Sequence, residues 1–263
     1  MIDPDTQTLS LGTHLSAVAA RLRAWDEEDA VSRLWAGDHT LWTAEPAPEI
    51  ADRLGWLTLP EAMAPEVPTL LAFAEEVAGE KIHHIVLLGM GGSSLAPEVF
   101  ARTFPRRPGY PELLVLDSTH PGAVRAVARQ ADPATTLFLV SSKSGTTIEP
   151  LSFFHHFWKR VSAVTSRPGR HFAAVTDPAS HLAGLAVERG FRRVFEADPN
   201  VGGRFSALSH FGLVPASLIG VDPAGLLQAA ARMAAACRRP STDNPGVVLG
   251  AALGELARAG RDK

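Results

Sequence analysis

Apolar positions change their period along the chain near residue 80. Before it they recur at helical spacing, over Leu9 to Trp25, Glu27 to Trp35 and Thr69 to Val77, with the connector Glu45-Pro46-Ala47-Pro48 between them. No strand is expected in residues 1 to 80, and Trp25, Trp35, Trp42 and Trp56 are expected to pack against the main body. From Ile82 onward, short apolar runs alternate with helical patterns. Ile82–Leu88, Leu113–Leu116, Leu137–Val140, His171–Val175 and Arg193–Phe195 read as strands. Helical patterns follow each in turn, at Leu95–Thr103, Gly122–Gln130, Ile148–Val161, Ser180–Glu188 and Ser206–Leu218. Strand-then-helix repetition predicts an α/β fold: a parallel, doubly wound sheet with helices on both faces, preceded by a helical N-terminal segment. The segment Val247 to Arg258 reads as one more helix. The expected division is a helical extension over 1–80 and the sheet domain over 81–263.

Composition narrows the function classes. The chain has 263 residues, 46% of them apolar, enough for a substantial core. Its formal net charge is −3 and it has no Lys/Arg run, which argues against a nucleic-acid partner. No apolar run approaches the length of a membrane span, and no secretion signal opens the chain. The single cysteine, Cys237, excludes an internal disulfide, fits a reducing compartment and reads as a buried structural thiol. A cytoplasmic location is expected, with no membrane partner.

Two loops carry most of the candidate chemistry. Ser141-Ser142-Lys143-Ser144-Gly145-Thr146-Thr147 lies between the third strand and its helix. Unpaired N–H groups and the dipole at a helix start favour an anion there, and clustered hydroxyls beside one ammonium suit a phosphate monoester. The bland reading is a cap, but capping needs only one of these hydroxyls. Gly89-Met90-Gly91-Gly92-Ser93-Ser94 lies between the first strand and its helix, where glycines let the backbone approach a ligand and Ser93 and Ser94 can donate. The rival is a dinucleotide-binding turn with Asp117 on the ribose. Ser94 stands where the third glycine of that pattern should be, and the rival leaves the hydroxyl-rich loop unexplained.

A third segment, Asn200-Val201-Gly202-Gly203-Arg204-Phe205-Ser206, follows the fifth strand. An arginine on a tightly turned backbone could stabilise negative charge developing on an oxygen. Equally, Arg204 could pair with Glu196 or Asp198. Glu149, in the first turn of the third helix, is at least as readily a helix-dipole or capping carboxylate as a chemical group.

Together these segments resemble phosphoglucose isomerase. Gly89 to Pro97 matches that family's first glycine-rich loop, Ser142 to Glu149 its phosphate loop, and Val201 to Ser206 one of its signature motifs. Order and spacing also agree, and the resemblance runs from about Leu70 to Lys263. It implies a sugar-isomerase (SIS) domain, a three-layer αβα unit with a five-stranded parallel sheet. In flavour it looks like the isomerase part of bifunctional transaldolase–phosphoglucose isomerases. Residues 1 to 60 match no motif and are too few for a transaldolase barrel.

The resemblance implies that Ser142, Lys143, Ser144, Thr146 and Thr147 hold the phosphate of a hexose 6-phosphate, with Gly91, Gly92 and Ser93 near the sugar. Arg204 would stabilise the enediolate formed in aldose–ketose isomerisation, and Glu149 would be a supporting polar residue in the catalytic site. No cofactor and no metal are expected. Family members carry a second SIS domain, which supplies the base, a ring-opening histidine and a late lysine. None of those motifs occurs here, so the chain is expected to be the front half of an isomerase, completed by a second SIS domain or a partner copy. The alternative is a sugar-phosphate-binding module that senses rather than catalyses.

Overall fold

The computed structural model describes residues 7–261. Five strands run over β1 (His84–Gly89), β2 (Glu112–Leu116), β3 (Thr136–Ser141), β4 (Phe172–Thr176) and β5 (Arg193–Glu196). The helices of the N-terminal stretch are α1 (Leu15–Glu27), α2 (Ala30–Trp35), α3 (Leu59–Met63) and α4 (Val67–Gly79). Those after the strands are α5 (Leu95–Thr103), α6 (Pro121–Gln130), α7 (Ile148–Ser162), α8 (His181–Glu188) and α9 (His210–Leu218). Two more follow, α10 (Pro223–Ala236) and α11 (Pro245–Arg258).

All four strand pairings are parallel, in the order β2-β1-β3-β4-β5. This is the five-stranded α/β sheet expected, with each strand within two residues of its sequence-predicted bounds. Its interior strands are buried on both faces, which is why they read as unbroken apolar runs rather than alternating ones. Val86, Leu88, Phe138, Val140, Phe172 and Ala174 face α6, α7 and α8. There Phe138 stacks on Phe157 and Phe172 at 4.7 and 5.2 Å between centroids, and Phe154 meets Phe172 edge-on. On the other face α9 packs on the sheet, flanked by α4 and α5, and every residue from Phe211 to Leu218 is buried.

Two units are compact, Glu61–Leu227 and the residues up to Pro60 taken with those from Gln228. In the latter, α1 packs on α11 through Val18, Leu22, Ala251 and Ala252, with Trp25 against them, and Arg21 bonds Glu255 at 2.9 Å. Trp35 donates its indole N–H to the Cys237 carbonyl at 2.9 Å. Trp42, expected to be packed, is 51% exposed, and Cys237 is half-buried rather than buried.

The helix expected over Ser206–Leu218 begins later. Gly203–Leu208 forms a 3-10 turn, and Ser209, whose hydroxyl accepts from the Phe211 N–H at 3.2 Å, caps α9. The first residue of α9, His210, is largely buried beside Glu66 and the Phe195 ring. Burial pushes its imidazole below the usual 6.5, opposed by the Glu66 charge and a backbone bond to Glu196. The unfolded chain therefore binds the proton more readily, so the stability gained by keeping His210 neutral is complete above pH 6.5 and is lost as pH falls below it. His156, lowered by burial and by Arg160, acts in the same direction. Denaturant unfolding at pH 7.5 and 5.5 should show a loss on acidification of less than about 1.4 kcal/mol per pH unit from His210. His210→Gln should flatten that slope, and an unchanged slope would show that His210 does not carry it.

Candidate functional site

With β2 on one side of β1 and the remaining strands on the other, the chain reverses its direction of winding between β1 and β3. Crevices at the carboxyl ends of such strands are where open α/β sheets bind ligands. Both candidate loops emerge there: Gly89 and Ser141 are paired neighbours at the ends of β1 and β3.

The helix starts differ in a way that bears on ligands. Helix α6 is capped by the His120 ring, which accepts from Gly122 N–H, and α8 by Ser180, which accepts from Ala183 N–H. Helix α9 has its Ser209 cap. Helices α5 and α7, which follow the two strands at the reversal, have Ser94 and Thr147 at the capping position but no side-chain cap bond. The Ser94 hydroxyl donates instead to the Gly91 carbonyl at 3.1 Å, and Thr147 accepts from the Ser142 hydroxyl at 3.3 Å. The first N–H groups of both helices are thus left for water or a ligand.

Within the hydroxyl-rich loop, Ser144 Oγ accepts from the backbone and hydroxyl of Thr146 at 3.3 and 3.1 Å. Gly145 turns the chain at φ +69°, and a Cβ there would lie 2.6 Å from the Leu182 nitrogen. The Lys143 ammonium donates to Asp177 Oδ2 at 2.7 Å and to the Pro199 carbonyl at 3.0 Å. Glu149 is half-buried in the first turn of α7.

The glycine-rich loop forms a 3-10 turn over Gly91–Ser93, with Gly91 at φ +52° and Ser93 half-buried. It lies directly against the third segment: a Cβ on Gly92 would sit 2.2 Å from the Gly203 carbonyl oxygen. The buried Ser206 hydroxyl fastens this contact by donating to Gly203 O at 2.7 Å, with Gly92 O at 3.4 Å. Arg204, next to Gly203, is exposed and has no ion-pair partner among the described residues; the pairing with Glu196 or Asp198 does not form. The sequence-predicted residues thus fall in three loops at one edge of the sheet. An open groove beside the outer strand β2, lined in part by Arg102, Phe104, Arg106 and Val115, shares none of them.

The family model for phosphoglucose isomerase matches residues 74–257, which include all three loops. The chain belongs to the phosphoglucose isomerase family. Glucose-6-phosphate isomerase of Trichormus variabilis is 31% identical over 237 residues, covering 85% of this chain and 42% of its own. That of Carboxydothermus hydrogenoformans is 34% identical over 204 residues, covering 73% and 44%. The chain thus spans less than half the length of these curated relatives. Among solved structures, the glucose-6-phosphate isomerase of Chlamydia trachomatis superposes with a TM-score of 0.76 at 25% identity, over 92% of this chain and 50% of its own. The hypothetical protein TT0462 of Thermus thermophilus gives 0.78 at 30% identity, over 91% and 55%.

Sequence reasoning passed over the turn after β4. Thr176, Asp177 and Ser180 all brace the hydroxyl-rich loop: Asp177 N–H and the Thr176 hydroxyl both donate to the Lys143 carbonyl, and Thr176 and Ser180 share a hydroxyl bond at 2.7 Å. The available signal was Thr176-Asp177-Pro178, a turn sequence at the carboxyl end of a strand next to the loop. Among the described residues no His/Cys/Asp/Glu group could hold a metal ion, and no helix is long and apolar enough to cross a membrane.

Proposed function

We propose that the three loops bind a hexose 6-phosphate and form the phosphate- and enediolate-binding part of a glucose-6-phosphate isomerase site. The observation that carries this reading is the pair of uncapped helix starts, α5 and α7, at the point where the sheet reverses, surrounded by hydroxyls. Two helix dipoles and their free N–H groups favour a dianion there. In this reading Ser142, Ser144, Thr146, Thr147 and the backbone of Lys143 hold the phosphate. Gly91, Gly92 and Ser93 lie along the sugar, and Glu149 is a supporting polar group.

Aldose–ketose isomerisation moves a proton between C1 and C2 and passes through an enediolate, whose oxygens gain negative charge. Arg204 is suited to that charge because its guanidinium has no ion pair among the described residues and its backbone is fixed by the Gly92–Gly203 contact. Groups that stabilise the transition state bind its mimics more tightly than the substrate. An aldonic acid one carbon shorter, phosphorylated at its far end, places a carboxylate where the enediolate oxygens form. It should bind more tightly than glucose 6-phosphate, and Arg204→Ala should remove that preference while leaving glucose 6-phosphate binding in place. Competition calorimetry measures both; equal affinity of the unaltered protein for the two ligands would remove Arg204 from the enediolate role.

A further inference from the structure

We infer that Asp177 is a positioning residue: through Lys143 it ties the phosphate loop to the turn that carries Arg204. The inference rests on the sugar-phosphate reading above and deepens it. The side chain of Lys143 is the physical link. It leaves the loop after β3, meets the Asp177 carboxylate after β4, and ends on the Pro199 carbonyl in the turn after β5. Three loops from three adjacent strands are thereby joined at one ammonium group.

The link is built rather than incidental. Asp177 also donates its backbone N–H to the Lys143 carbonyl at 3.1 Å, so the two residues grip each other through main chain and side chain. Thr176 adds a hydroxyl bond to the same carbonyl. Both charged side chains are mostly buried, 23% and 19% exposed. The second carboxylate oxygen, Asp177 Oδ1, is buried with no hydrogen-bond partner, and among the described residues Lys143 is the cation paired with that charge, offsetting the loss of water around it. An ammonium held this way is not free to serve the phosphate as a point charge. Its contribution is to set where the hydroxyls of the loop stand relative to Arg204.

Two roles for Lys143 make opposite predictions about Asp177. If the ammonium were a phosphate ligand, Asp177 would compete with the phosphate, and removing the carboxylate would strengthen binding. As a tether, removing it loosens both loops and weakens binding. Asp177→Ala and Lys143→Met should each lower glucose 6-phosphate affinity about tenfold, the order expected for slightly misplaced binding groups, and the double variant should be no worse than either. Lys143→Arg, which can keep both contacts, should retain most of the affinity.

Hydrogen exchange of the ligand-free full chain supplies a readout independent of the sugar phosphate. Amides of residues 200–206 should exchange faster in Asp177→Ala than in the unaltered chain, although no backbone bond from Asp177 to that turn is seen among the described residues. If Asp177→Ala does not fold, Asp177→Asn removes the charge at nearly constant size. Tighter binding in the aspartate variants, or unchanged exchange at 200–206, would overturn the tether. Failure of the unaltered chain to bind glucose 6-phosphate, with exchange accelerated as expected, would overturn the ligand and leave the tether standing.

Discussion

Gly92→Ala is expected to lower the melting temperature and to weaken hexose 6-phosphate binding together. A Cβ at Gly92 would lie 2.2 Å from the Gly203 oxygen and 2.5 Å from its carbon, far inside van der Waals contact. Both atoms are backbone, so no rotamer change relieves the clash and the two turns must separate. Overpacking of this kind costs about 1–3 kcal/mol, and a rigid backbone partner places this case at the upper end or beyond. Separation also displaces Ser93, proposed to lie along the sugar, and the affinity loss follows from that displacement. Gly203→Ala is the control: its Cβ would meet nothing within 4 Å, and it should melt like the unaltered protein. Equal melting of Gly92→Ala and the unaltered chain would show that the two turns do not touch.

The double change Ser142→Ala with Thr147→Ala should weaken glucose 6-phosphate binding by about 1–3 kcal/mol through lost charge-assisted hydrogen bonds. Ser142 is buried at the end of β3, and its hydroxyl donates to Thr147 at 3.3 Å. Removing both partners at once leaves no orphaned hydroxyl, so the fold should change little. Thr147 does not cap α7 with its side chain, so no cap is lost either. A melting temperature near that of the unaltered protein with reduced affinity is the expected pair of results, read by scanning and titration calorimetry. Unchanged affinity would move the phosphate away from these two hydroxyls.

The sheet was legible because its strands are buried on both faces. Runs such as Leu137-Phe138-Leu139-Val140 need no alternation to be read, and five runs followed by helical patterns leave few topologies open. The loops of the site were legible for a related reason: glycines and hydroxyls at strand ends stand out against apolar flanks. The helix start at Ser206 was misplaced because Gly203–Leu208 winds as a 3-10 turn whose residues satisfy a helical pattern. Ser209, the actual cap, is one of several serines there, and composition does not single it out.

Long-range partners were hidden for a different reason. The packing of α1 on α11 and the bond from Trp35 to the Cys237 carbonyl join residues more than two hundred positions apart. Each segment shows only an apolar stripe, and a stripe does not name its partner. The Lys143–Asp177 pair was missed for the same reason. The hydroxyl-rich loop singles out Lys143, but its partner carboxylate comes from the turn after the next strand, 34 positions away.

The edge formed by Gly91–Ser93, Ser142–Thr147 and Arg204 is proposed to bind a sugar phosphate, with Ser142–Thr147 on the phosphate. Titration calorimetry of the unaltered chain with glucose 6-phosphate and, separately, with glucose measures this directly. Saturable binding of glucose 6-phosphate and no detectable binding of glucose at the same concentrations are expected, because the dianion supplies the interaction with the helix starts. Equal affinity for the two sugars would contradict it.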